Sequence, residues 1–400
     1  MFPIIKTLLR NGSGALLAAL QVAVTLAVCT NALFIIKNRT DFINKDHGID
    51  VDNVFIYNGR GYGDNFNYIE TVESDLDWIR SLPGVVSVGY SHQIPLSGSG
   101  SSSGYRASAD ESSPQSSTAY FRVNEAFVNS LGLTIIEGRN FSLNDIRVPS
   151  RDGYDQPIAS VIISRALAED LFPNQSAVGK LVYNNSGSGS EVVGVVDIMP
   201  GPWVSAPFND NTILLPSYLE GASFRYIIRT EPGQRQRIMT EVEQGLQERR
   251  RNVVQVNLES MTEIVASAYE ESRAMVVVLK VSIVLVLLVT AFGLIGLASS
   301  SVRQRTKQIG TRRALGARKH DVLLYFVSEN WLTTTTGILI GLVLTQWVNY
   351  IFVTEYELEP LDSTYILAGA IIIWLIGLLS VLGPALKAVS IPPALATRSV

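Results

Sequence analysis

One cysteine in 400 residues, Cys29, is too few for a disulfide framework or a cysteine metal cluster, so any folded domain here is held by its own core. Histidine is nearly as scarce. His47, His92 and His320 stand far apart without metal-ligand spacing, and no His-Glu-x-x-His occurs. Nor does the sequence contain Gly-x4-Gly-Lys-Ser/Thr, the loop whose backbone N–H groups cradle phosphates, so nucleotide hydrolysis by this chain is not expected. No catalytic, metal-binding or cofactor-binding residue is assigned. Charge is thin at 17% of residues, and a net −4 gives no overall sign that would draw nucleic acid. The Ser and Gly-rich tract 97–117 places Gly98, Gly100 and Gly104 close together. No strand feeds it and no amphipathic helix follows, so it is not a dinucleotide fingerprint; its composition predicts a mobile loop or a long hairpin.

What the chain has instead is long apolar runs. Nothing between Arg10 and Lys37 is charged, and Gly14 to Ile36 is long enough to cross a hydrocarbon layer of about 30 Å. It exceeds the usual length of a signal-peptide core, so it reads as a retained span, with Cys29 as an ordinary membrane-buried thiol. Three further spans are expected at Met275 to Ser299, Asn330 to Phe352 and Ser363 to Leu386. Lys280 is the one formal charge within them and sits near a span end, where it can snorkel. Basic residues in short loops mark the cytoplasmic side. Between Val302 and Asp321 lie Arg303, Arg305, Lys307, Arg312, Arg313, Arg318 and Lys319, whereas Thr354 to Asp362 carries Glu355, Glu357, Glu359 and Asp362 without a base. Both termini are therefore expected in the cytoplasm, with 37–272 outside.

The outer segment is net acidic and large enough for two lobes. Strand, helix and strand are predicted at 53–57, 66–82 and 85–90, and again at 224–230, 233–251 and 253–257. Two such units far apart in sequence imply one α/β lobe interrupted by an insert, roughly Ile94 to Pro216, with further strands at 159–163 and 192–196. From Leu258 the pattern reads as helix without a breaker into the second span, a rigid stalk. The expected fold is thus a membrane protein of α+β class: four transmembrane helices, with a porter-like α/β lobe and an inserted β-rich lobe between the first two.

Several strings resemble the ABC permeases of the MacB and FtsX type, the mechanotransmission superfamily. They are FVNSLGLTIIEGRNFSLND (Phe127 to Asp145), VIISRALAEDLFPNQSAVGK (Val161 to Lys180) with EVVGVV (Glu191 to Val196), RQRTKQIGTRRALGARKHDVL (Arg303 to Leu323) and PALKAVSIPPALATR (Pro384 to Arg398). Together they are spread from Phe127 to Arg398, most of the chain's length, and the basic string is the most specific. The resemblance implies a cytoplasmic N-terminus and first helix (1–36), a MacB-like periplasmic domain with stalk helices (37–272) and an FtsX-like permease domain (273–400) in a bacterial inner membrane. The segment 302–321 would couple the chain to a separate cytoplasmic ABC ATPase, which would carry the ATP and Mg. Arg305, Gln308, Ile309, Gly310, Arg312, Arg313, Ala314, Leu315 and Gly316 are its expected contact residues.

Gln308 departs from the family, which commonly has an acid there, and this puts one salt bridge to a partner in doubt. Independently of the resemblance, a short basic amphipathic segment between two spans, broken by Gly310 and Gly316, suits docking against a partner's groove. Its plainer reading is a charge cluster that fixes topology and touches lipid headgroups. The other implied partners are a second permease, either the same chain or a paralogue, and a periplasmic adaptor or envelope protein. Two functions fit: efflux or release of a periplasmic or membrane-extracted peptide, drug or lipoprotein, and signalling that regulates a cell-envelope enzyme or senses an envelope ligand. A membrane-anchored enzyme fits least, for want of a catalytic constellation.

Overall fold

The computed structural model describes residues 12–64, 66–147, 158–218, 221–356 and 361–390. The chain divides into two compact units, Lys45–Glu271 and Met1–Asn44 with Ser272–Val400.

In the first unit, β1 (Val54–Gly61), β2 (Val85–Ser91), β10 (Ser223–Thr230) and β11 (Val253–Ser260) form an antiparallel sheet in the order β11-β1-β10-β2. Alternation along these strands sorts side chains to opposite faces. Phe55, Tyr57, Tyr226 and Ile228 pack with Val72, Leu76 and Ile79 of α2 (Tyr68–Arg80) and Ile238, Val242 and Leu246 of α5 (Arg235–Arg249), while Val54, Ile56 and Ile227 join a second core. Both strand-helix-strand units expected from the sequence are present.

The insert is regular and carries a short helix, α4 (Arg165–Leu171). β3 (Ser102–Arg106) and β4 (Ser116–Val123) pair as an antiparallel hairpin, so the Ser and Gly-rich tract is the long hairpin and not the mobile loop. The pairings β4-β3-β7-β8-β6-β9 return to β4, a closed circuit that also takes in β6 (Ser160–Ser164), β7 (Leu181–Asn184), β8 (Gly189–Val196) and β9 (Thr212–Pro216). Such closure removes free strand edges.

The string from Phe127 to Asp145 is a structural motif. It begins with the short helix α3 (Phe127–Leu131), and β5 (Ile135–Gly138) pairs with β8. Gly138 takes φ +74° with its α-carbon against the Val193 carbonyl, where a side chain would clash. Arg139 then grips Asp145 with two bonds, Nη1 to Oδ2 at 2.8 Å and Nη2 to Oδ1 at 3.1 Å. Asp145 also accepts from the Ser142 backbone N–H and from the Ser160 hydroxyl. These donors, Arg139 foremost, hold its carboxyl well below the usual range.

The stalk is not continuous. β11 extends through Ser260, because Leu258 pairs with Tyr57 in the sheet. Helix α6 (Met261–Ala268) starts only there, with Ser260 and Glu263 as a reciprocal cap. It stops at Tyr269 (φ −107°, ψ 11°), whose buried ring stacks on His47 at 5.5 Å, and α7 (Glu270–Gln304) begins at the next residue.

The second unit contains α1 (Gly12–Ile43), α7, α9 (Lys319–Tyr356) and α10 (Ser363–Val389), each long and apolar enough to span a membrane. In water-free surroundings helices associate through close packing of small residues. Here Gly337 and Gly341 of α9 do this against Ala19, Val22, Ala23 and Leu26 of α1. A β-carbon on Gly337 would come within 2.7 Å of the Ala19 carbonyl oxygen, and one on Gly341 within 3.0 Å of the Ala23 α-carbon. The Thr25 and Thr290 hydroxyls hydrogen-bond at 2.6 Å between α1 and α7. Lys280 is exposed and Cys29 is buried. The first ten residues, the acidic stretch 357–360 and the last ten residues, including Arg398, lie outside the described residues.

Asp145→Asn should destabilise the 45–271 unit by about 2 kcal/mol, the loss of a charge-assisted network. The depressed carboxyl contributes its stability above a pH of about 4 and loses it as pH falls below that, so wild type and variant should converge in acid. Limited proteolysis of the detergent-solubilised chain across pH reads this directly. Gly341→Leu should drive α1 and α9 apart and lower the detergent unfolding temperature, and an unchanged temperature would mean that the seam bears no packing.

The elbow between the second and third spans

The basic segment folds as α8 (Thr306–Ala314), set between the end of α7 and the start of α9. Arg305 is the joint: its non-helical backbone (φ −104°, ψ 10°) turns the chain, while the Ile309 N–H still donates to its carbonyl at 2.9 Å. The other end closes at Gly316 (φ +99°). Ala317 N–H donates to the Arg312 carbonyl at 3.0 Å and Gly316 N–H to the Arg313 carbonyl at 3.1 Å, a left-handed helix stop that favours glycine. The Asp321 carboxylate then accepts from the Arg318 N–H at 2.9 Å and caps the start of α9.

One expected break is absent. Gly310 lies inside α8, buried, and does not interrupt it; the interruption comes at Arg305 and Gly316. A single glycine weakens a helix without ending it when the flanking residues are anchored, and Ile309 is anchored in a core with Val302, Val322, Phe326, Ala385 and Ala388.

The nine expected contact residues separate by direction. Arg305 points inward, its side chain 10% exposed, and meets Glu329 of α9 in a two-pronged ion pair at 2.6 and 2.9 Å. It also donates to the Tyr325 hydroxyl at 3.2 Å. Ile309 and Gly310 are buried, and Arg313 is half-buried with Nη1 donating to the Val389 carbonyl at 2.8 Å. Gln308, Arg312, Ala314, Leu315 and Gly316 are exposed. The segment therefore has an inner set that fixes it to the bundle and an outer set open to a partner. Glu329, Tyr325 and Val322, which fix the elbow from α9, were not singled out in the sequence. The one available signal was that Glu329 is an acid at the very edge of an apolar span.

Beneath the elbow is a cleft of about 330 Å³, lined among others by Gln308, Ile309, Arg312, Val322, Tyr325 and Phe326. The Arg312 guanidinium lies 5.2 Å from the Tyr325 ring centre and that of Arg305 lies 5.9 Å from it.

Elsewhere the chemistry is structural. His92 is buried with Nδ1 accepting from the Arg122 N–H at 2.9 Å, and burial beside Arg122 and Arg225 lowers its pKa to about 4. Gly100 to Gly104 spells Gly-x-Ser-x-Gly, but Ser102 begins a strand paired on both sides. A nucleophile elbow requires a strand-to-helix turn.

Residues 15–259 match the MacB-like periplasmic core domain family, and residues 280–393 match the FtsX-like permease C-terminal family. The chain belongs to this family of ABC transporter permeases. Within it, the chain is similar to the macrolide export ATP-binding/permease protein MacB of Chromobacterium violaceum, with 25% identity over 378 residues, 88% of this chain and 53% of that protein. It is also similar to the ABC transporter permease YknZ of Bacillus subtilis, with 25% identity over 69% of this chain and 68% of that one. The chain spans about half the length of the MacB relatives it matches. Among solved structures, the extracellular domain of YknZ aligns with a TM-score of 0.33 at 19% identity, covering 51% of this chain and 100% of that one. The periplasmic region of MacB from Actinobacillus actinomycetemcomitans aligns at 0.36 and 15% identity, covering 57% of this chain and 97% of the other.

Glu329→Gln should leave the Arg305 guanidinium buried without a counter-charge, at a cost of about 3 kcal/mol. The elbow should then loosen, and trypsin should cut at Arg303 and Arg312 much faster in the solubilised protein. Arg305→Met combined with Glu329→Leu removes both charges and should restore resistance. Equal cleavage in all three proteins would show that the pair does not hold the elbow.

Proposed function

We propose that this chain is the permease of an ABC complex in a bacterial inner membrane. In this reading a separate cytoplasmic ATPase, holding ATP and Mg, docks on the elbow, and its motion is carried through α7 to the domain at 45–271, taken as periplasmic. The carrying observation is the division of the elbow: an inner face pinned by Arg305–Glu329 and an outer face presenting Arg312, Gln308 and Leu315. A pinned segment passes on a push that a loose loop would absorb. Helix α7 runs 35 residues from Glu270 to Gln304, about 50 Å at the helical rise, long enough to carry displacement across a bilayer.

In this reading the basic elbow marks the cytoplasmic side, with both termini inside, as the preference of Lys and Arg for that side supports. The spans carry almost no formal charge, so a polar cargo has no ionisable route through them. Substrate then stays on the outer side and is expelled or released there by the moving domain: a peptide, a lipophilic drug or a lipoprotein. Two permease copies, identical or related, give the two ATPase subunits a symmetric platform.

Arg312→Glu reverses the exposed charge without touching the Arg305–Glu329 pair or the Arg313 contact to Val389. It should cut stimulation of the cognate ATPase in proteoliposomes by about tenfold or more, with the chain still folded and monodisperse. Stimulation equal to wild type would remove the elbow as the point of coupling.

A further inference from the structure

We propose that the cleft beneath the elbow is itself a receptor. It takes one large apolar side chain from the ATPase together with a neighbouring carboxylate that pairs with Arg312. The inference rests on the coupling reading and specifies its chemistry: the permease also accepts a knob from the subunit that drives it.

The size of the cleft limits its occupant. At about 330 Å³ it lies at the lower end of small-molecule sites, room for one bulky side chain. The floor is apolar, formed by Ile309, Val322 and Phe326, each already almost fully buried, so the hydrophobic gain on filling it comes mainly from the surface of the entering side chain. Leu315, 84% exposed, stands at the lip, where an arriving apolar group would cover it too.

Charge decides what accompanies the knob. Two guanidinium groups flank Tyr325, but they are not equivalent. Arg305 has its charge met by Glu329, whereas Arg312 forms no ion pair among the described residues and is held only over the aromatic ring. Gln308, one turn away, is neutral and supplies no countercharge. An incoming carboxylate thus has one cation waiting for it, already oriented. A phospholipid headgroup is the other anion within reach of a membrane-surface cleft. The Asp321 carboxylate in the same wall opposes either anion and does not choose between them, but the acyl chains of a lipid would exceed the apolar floor. The cleft therefore favours an acidic, apolar protein segment over lipid.

The test places the photoreactive amino acid p-benzoylphenylalanine in the full-length chain in native membranes, once at Gln308, which lines the cleft and is exposed, and once at Lys307, which is exposed but does not line it. Irradiation and mass spectrometry then identify the adducts. The expected result is an adduct from position 308 on an apolar residue of an ATP-binding-cassette ATPase, within one helical turn of an Asp or Glu. An ATPase adduct from 307 but none from 308 would overturn the receptor and leave the elbow as the docking segment. Lipid as the main adduct from 308 would overturn it in favour of a headgroup site, and no ATPase adduct from either position would remove the coupling reading as well. With the captured ATPase purified, Val322→Trp, which fills the cleft, and Arg312→Met, which removes the cation, should each weaken binding to the permease about tenfold or more. If Val322→Trp does not give a monodisperse protein, Arg312→Met alone decides, and wild-type affinity in it would overturn the proposal.

Discussion

The ion pair between Arg305 and Glu329 is the constraint on which the elbow of this molecule depends. Chain direction changes at Arg305, and a turn made at one residue is only as stiff as whatever holds that residue. Two hydrogen-bonded contacts at 2.6 and 2.9 Å, largely out of water, tie it to the third span. Both charges are low in exposure, so neither can be lost without stranding the other. Around this joint the apolar core of Val302, Ile309, Val322 and Phe326 assembles, and Arg303, Lys307 and Arg312 face outward. The outer face exists because the inner face is fixed.

The 45–271 unit reaches a comparable firmness by another route. Its inserted lobe is a closed circuit of strands, and its signature string is stapled by Arg139 and Asp145. The Ser and Gly-rich tract is held by pairing, Ser102 to Tyr105 with β4 and Tyr105 and Arg106 with β7. Backbone pairing does not require large side chains, which is why composition left a loop and a hairpin both open and the pairing decides for the hairpin.

Much of the fold was readable from apolar periodicity and run length, because burying a face or spanning a bilayer imposes a regular pattern on the residues. The four spans, both strand-helix-strand units and the inserted lobe were visible in that way. What was hidden is what depends on a partner distant in sequence. Arg305 read as a docking cation, because a sequence displays a charge but not the carboxylate 24 positions later that neutralises it. Gly310 read as a break, because its neighbour Ile309 gave no sign of the core that holds the helix together across it. Tyr269 interrupts a pattern that looked unbroken, since its stacking on His47 spans more than two hundred residues. Of the elbow, the basic run was legible and its means of support were not.

The four spans are unequally enclosed. In α1 61% of the most apolar stretch is buried within the chain, in α7 only 11%. The first helix is locked by glycines that admit its backbone, while α7 meets α1 through slender contacts such as Thr25 with Thr290. The first helix therefore owes its place to its own chain, whereas α7 leaves most of its apolar length to be covered from outside the chain.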